Sequence, residues 1–186
     1  WFSKEYDSVT MGFQQVMWSF GGSYGDTNTY KVDGYINNAD AVKALEYYKG
    51  LKAFSPPDAP NYYWAETLDA YKSGKVAMAM DYFAFFPGVV DADQNPNYYD
   101  KTGFFVSPSG PKGRYISIGG QGMSISTYSK NKEAAKRYMK WFIQKPVQEK
   151  WAKLGGFTPH KEVLQSEAFM NATPFNKAFA ESFPYL

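Results

Sequence analysis

Gly119-Gly120-Gln121-Gly122-Met123-Ser124-Ile125-Ser126-Thr127-Tyr128-Ser129-Lys130-Asn131-Lys132-Glu133-Ala134-Ala135 changes its period half-way along. Met123-Ser124-Ile125-Ser126 alternates apolar and polar residues, the spacing of a strand with one buried face. Tyr115-Ile116-Ser117-Ile118, just upstream, alternates in the same way. The glycines between the two read as a bend. From Ser129 the spacing becomes helical, with Ser129 placed to cap and Ala134, Ala135, Tyr138, Met139 and Phe142 on one face. Strand, glycine bend, strand and helix in one run give an α/β class.

The same mixture extends outward in both directions. Toward the N-terminus, Gly103-Phe104-Phe105-Val106-Ser107-Pro108 and Lys75-Val76-Ala77-Met78-Ala79-Met80-Asp81 are short apolar runs that read as strands. Trp64 to Lys72 reads as a short helix with Ala65, Leu68 and Tyr71 on one side. Asn37-Asn38-Ala39-Asp40 reads as a helix start, because an Asn side chain can accept from a free N–H of the first turn and Asp40 suits its positive end. Ala41, Ala44, Leu45 and Tyr48 follow at helical spacing, and Gly50 lies near the stop. Before that, residues 1–36 show helical period only around Met11–Phe20. Toward the C-terminus, Pro146 suits the first turn of a helix that Gly155-Gly156 ends, and 162–186 reads as helical pieces. Ser55 to Pro60 and Asp91 to Asp100 read as loops.

Composition narrows the function. The chain has 186 residues, a net charge of +2, 44% apolar residues and no cysteine. That length allows one ordinary domain or two small ones. The charge gives no reason to expect nucleic acid. Without cysteine there is no disulfide framework, thiolate zinc site, Fe–S site or cysteine nucleophile. No apolar run is long enough to span a bilayer as a helix. The chain begins Trp1-Phe2-Ser3-Lys4, without an initiator Met or a signal-peptide pattern, as in a chain processed or excised from a longer one. Aromatic residues are the outlier, with 16 Tyr, 15 Phe and 5 Trp, 19% of the chain.

Several chemistries fail on spacing. Gly119 to Gly122 lacks the Lys-Ser/Thr step or Rossmann spacing of a phosphate loop. Asp26-Thr27-Asn28-Thr29-Tyr30 and Asp91-Ala92-Asp93-Gln94-Asn95 lack the glycine and terminal Glu of calcium loops and read as solvated turns. His160 is the sole histidine, and no nucleophile elbow precedes it. No metal or cofactor is expected. Nine basic residues, 130, 132, 136, 137, 140, 145, 150, 153 and 161, face two acids between 130 and 161, at many helical phases, as on a solvated face.

The aromatic residues resist that treatment. Trp18, Tyr24, Tyr30, Tyr62, Tyr63, Trp64, Tyr82, Phe83, Phe85 and Phe86 gather at loop and strand ends rather than at core period. Trp and Tyr present a flat apolar face with a polar tip, which suits the C–H face and hydroxyl rim of a sugar. Core packing is the competing reading for any one ring. A hydrolase would need two carboxylates facing across a cleft, with Glu66, Asp69 and Asp81 as candidates.

Four blocks, read in order, carry a family resemblance. They are Trp18-Ser19-Phe20-Gly21-Gly22 with Asn38 to Leu45; Gly74-Lys75-Val76-Ala77-Met78; Gly119 to Ala135; and Gln148 to Pro159 with Trp151-Ala152 and Gly155-Gly156-Phe157-Thr158-Pro159. Together they resemble the family 1 extracellular solute-binding proteins of bacterial ABC sugar importers, the maltose-binding-protein-like group. The resemblance implies a type II periplasmic-binding-protein lobe, a mixed sheet flanked by helices, incomplete because the N-terminal lobe is absent. It implies a C-terminal-lobe core over residues 1–124 and an inter-lobe crossing strand with a helical segment over 125–186. It implies a non-enzymatic role: a sugar or oligosaccharide is captured outside the cytoplasmic membrane, in the periplasm or at a lipid-anchored cell-surface site, and passed to the permease of an ABC importer. Ligand contacts are then implied at Trp18 with Gln14 or Gln15, at Asp81, Tyr82 and Phe83 after the strand, and through backbone at Gly119, Gly120 and Gln121. Trp64 joins them on the aromatic argument. The missing lobe implies weak or no binding by this chain alone. The alternative is a carbohydrate-active hydrolase using Asp81 or Glu66.

Overall fold

The computed structural model describes residues 8–186, so Trp1 to Lys4 lie outside the described residues. The helices are α1 (Ser8–Phe20), α2 (Ala39–Gly50), α3 (Trp64–Lys72), α4 (Lys132–Phe142), α5 (Lys145–Lys153), α6 (Lys161–Leu164), α7 (Glu167–Met170) and α8 (Asn176–Ser182). Single 3₁₀ turns sit at Leu51–Phe54, Ala59–Asn61, Phe83–Gly88 and Phe183–Tyr185. The chain divides into two compact units. One holds the residues up to Thr102 with 106–117 and 182–186, and the other holds 103–105 and 118–181.

In the first unit, glycine decides where α1 stops. Gly21 adopts φ +99°, and the Gly21 and Gly22 N–H groups donate to the Trp18 and Met17 carbonyls, closing the helix end. A Cβ on Gly22 would lie 2.8 Å from Ala41 Cβ and Met17 Cγ, so only glycine lets α2 come this close. Met17, Ala41 and Ala44 are buried there, with Phe13, Val16, Trp18, Phe20 and Tyr24 packed around them. Asn38 caps α2 as its sequence predicts, with Oδ1 accepting from the Ala41 N–H at 2.7 Å. The turn at Gly110–Gly113 docks on the end of α1, where the Lys112 N–H donates to the Ser19 carbonyl at 2.9 Å. Helix α3 has the expected bounds and buries Leu68 and Ala70, while Ala65 is exposed.

The second unit is helical. Ala152, Val163, Leu164 and Phe169 form its core, with Phe157 and Phe179 against it. Pro146 opens α5 and Gly155, at φ +87°, follows its end. Gly156 leaves room for the Trp151 indole, whose Nε1 donates to the Phe157 carbonyl at 3.1 Å. Gln148 is buried between two bonds: its amide nitrogen donates to the Phe142 carbonyl, and Thr158 Oγ1 donates to its oxygen at 2.8 Å. All nine basic residues of 130–161 are exposed, as on a solvated face.

One expectation needs correction, and a second finds no support among the described residues. Ser129 does not cap α4, which starts at Lys132. Ser129 Oγ instead accepts from the Asn131 N–H at 3.1 Å, holding a turn ahead of the helix. Ala135, Met139 and Phe142 line the inner side of α4, while Ala134 and Tyr138 are exposed. Second, the four segments read as strands form no ladder. Among the described residues no strand occurs, and the one isolated β-bridge joins Gly110 to Gly113. A strand exists only through a partner's amides and carbonyls, and alternation in one segment does not supply that partner. Met78 and Ile118 are 74% and 73% exposed, so these apolar positions lack a covering layer within the chain described.

Candidate functional site

In the first unit, three stretches meet at Tyr82: the start of α1, the start of α3 and the turn that follows residue 80. The Tyr82 hydroxyl donates to Met11 Sδ at 3.4 Å. The Trp64 indole meets the Tyr82 ring edge-on, with centroids 6.1 Å apart, and tilts against Phe85 at 5.4 Å. Tyr63 stacks on Trp64 at 4.4 Å. The junction is therefore an aromatic floor made by residues adjacent in space but far apart in sequence.

Asp81 lies beside this floor. Its Oδ1 accepts from the Tyr82 N–H at 2.8 Å, and its Oδ2 is buried without a hydrogen-bond partner. Burial pushes its carboxyl up to about 7, because the charged form is poorly solvated there. Trp64 Nε1 is likewise buried and unpartnered. Orphaned buried polar atoms are uncommon in folded proteins and mark places where stability yields to another demand.

The other predicted residues divide by position. Gln14 and Gln15 hold return segments against α1: Gln14 Nε2 donates to Ser117 Oγ at 2.9 Å, and Ser107 Oγ donates to Gln15 Oε1 at 3.2 Å. Trp18 is half-buried against the α1–α2 core, seven residues or about 10 Å along the helix from Met11. That spacing puts Trp18 and Met11 on one side of α1. Phe83 packs edge-on against Phe86 at 5.1 Å. Gly119, Gly120 and Gln121 belong to the second unit and are exposed. A Cβ on Gly120 or Gly122 would meet nothing within 4 Å, so neither glycine is required by its surroundings there.

Met11 joins the junction without having been singled out in the sequence, since a Met at helical spacing carries no mark of its aromatic neighbour. Glu66, the hydrolase candidate, accepts from the Tyr63 N–H at 2.9 Å and stabilises the start of α3. Asp26 and Asp91 each accept from the backbone of their own turns. An open concavity of about 560 Å³ is lined by residues 53–58 and Lys75. It sits at the start of the 75–81 segment, six residues from Asp81, and contains none of the predicted contacts.

A family model described as bacterial extracellular solute-binding protein matches residues 10–149. The chain belongs to that family. Among curated relatives, a mannitol-binding protein of Pseudomonas aeruginosa is 29% identical over 146 residues, covering 75% of this chain and 33% of that protein. A diacetylchitobiose-binding protein of Streptomyces coelicolor is 26% identical over 146 residues, covering 75% of this chain and 34% of that protein. The maltose-bound structure of T. maritima MalE3 is similar with a TM-score of 0.80 and 26% identity, over 97% of this chain and 46% of that one. The chain thus spans a third to under half of these solute-binding relatives. The MalE3 likeness gives the fold as that of a type II periplasmic binding protein. The hydrolase alternative finds no support in this family, nor in the role of Glu66.

Proposed function

We propose that the protein to which these residues belong binds a sugar or oligosaccharide outside the cytoplasmic membrane and delivers it to the permease of an ABC importer, without changing it chemically. The observation that carries this reading is the junction at Tyr82, where Trp64, Tyr82 and Phe85 form an aromatic floor beside Asp81, whose Oδ2 is buried without a hydrogen-bond partner. Family membership and the mannitol, diacetylchitobiose and maltose named in the relatives support it. No helix among the described residues is long and apolar enough to cross a membrane, and the family's description as extracellular supports a periplasmic or surface-anchored site.

Within this reading Asp81, Tyr82 and Trp64 contact the solute directly, and Trp18 and Phe83 extend the apolar wall. Gln14 and Gln15 shape the wall through Ser117 and Ser107. Gly119, Gly120 and Gln121 lend main-chain groups from a crossing segment, where the absence of side chains permits close approach. Residues 1–124 act as a C-terminal-lobe core and 125–186 as crossing strand and helices. The opposing lobe supplies the rest of the cleft, and sequence outside these residues supplies the ladder partners that complete a mixed sheet. The lobes close because the solute contacts both, and it shifts that equilibrium only through contacts that differ between open and closed states.

A micromolar solute is held by about 8 kcal/mol, so half of those contacts leave an affinity near millimolar. Isothermal titration of this chain with a panel of neutral sugars and polyols is expected to give binding of about that strength. Binding at that strength or weaker fits half a cleft, and sub-micromolar affinity would contradict it.

A further inference from the structure

We draw no further inference here: the strongest candidate, the exposed aromatic face of α4 and α5 where Tyr138, Trp141 and Trp151 gather around Phe142, carries none because nothing in the structure shows what covers it.

Discussion

A carboxyl whose pKa is raised by burial makes stability depend on pH in a direction opposite to that of a salt-bridged one. The Asp81 carboxyl is raised from 3.8 to about 7, so the folded chain keeps a proton that the unfolded chain has already lost between those limits. The unfolded state then binds fewer protons, and stability falls as pH climbs from about 4 to about 7 and stays low above that. The size follows from the shift, on the order of 4 kcal/mol. Asp81→Asn is expected to remove this dependence: the two proteins should melt alike near pH 4, with the variant higher at about pH 8. A wild-type chain that gains stability over that range would contradict the assignment. At Gly22 the expectation is steric. Gly22→Ala places a methyl 2.8 Å from Ala41 Cβ and Met17 Cγ, which should lower stability by about 1–3 kcal/mol in urea denaturation, through the midpoint and not the slope. The Gly-Gly pair was visible in the sequence as a motif, and its steric reason was not, because the neighbour it admits lies on another helix. Gln14 and Gln15 teach the same lesson, since their partners lie 103 and 92 residues away.

Elements whose ends are set by local bonds were legible. Asn38 as a cap, Pro146 in a first turn and Gly155 beyond a helix end each act through neighbours within four residues. Asn38→Ala should weaken α2 by about 1 kcal/mol, measured as a lower denaturation midpoint. The start of α4 was misread because Ser129 has two ways to use its hydroxyl, and the turn onto Asn131 takes it three residues early. The strands were legible as alternation and not as a sheet, for the pattern fixes which face is apolar without naming a partner. In the second unit the Gln148–Thr158 bond links the end of α4, through Phe142, to the loop after α5. Thr158→Val should leave the buried amide oxygen unpaired and cost about 1–3 kcal/mol, with hydrogen exchange quickening at Gln148 and its neighbours first.

At the scale of the molecule, family membership and aromatic excess belong to one account. A lobe that closes on a partner needs apolar surface that stays open until the partner arrives. Met78, Ile118, Trp141 and Leu154 are all at least half exposed. Two of the four recognisable blocks have a structural reason: Gly22 admits α2, and Gly156 seats Trp151. The candidate site was only partly legible: the family resemblance implied Asp81 and Tyr82 and the aromatic argument added Trp64, whereas their shared junction is a property of the fold. The most direct test of the whole reading is the map of backbone amide and indole N–H chemical shifts as this chain is titrated with its tightest neutral sugar or polyol. Saturating shifts centred on Asp81, Tyr82 and the Trp64 indole N–H are expected. Silence at those three, with shifts gathered instead around the basin beside Phe54 and Lys75, would contradict it.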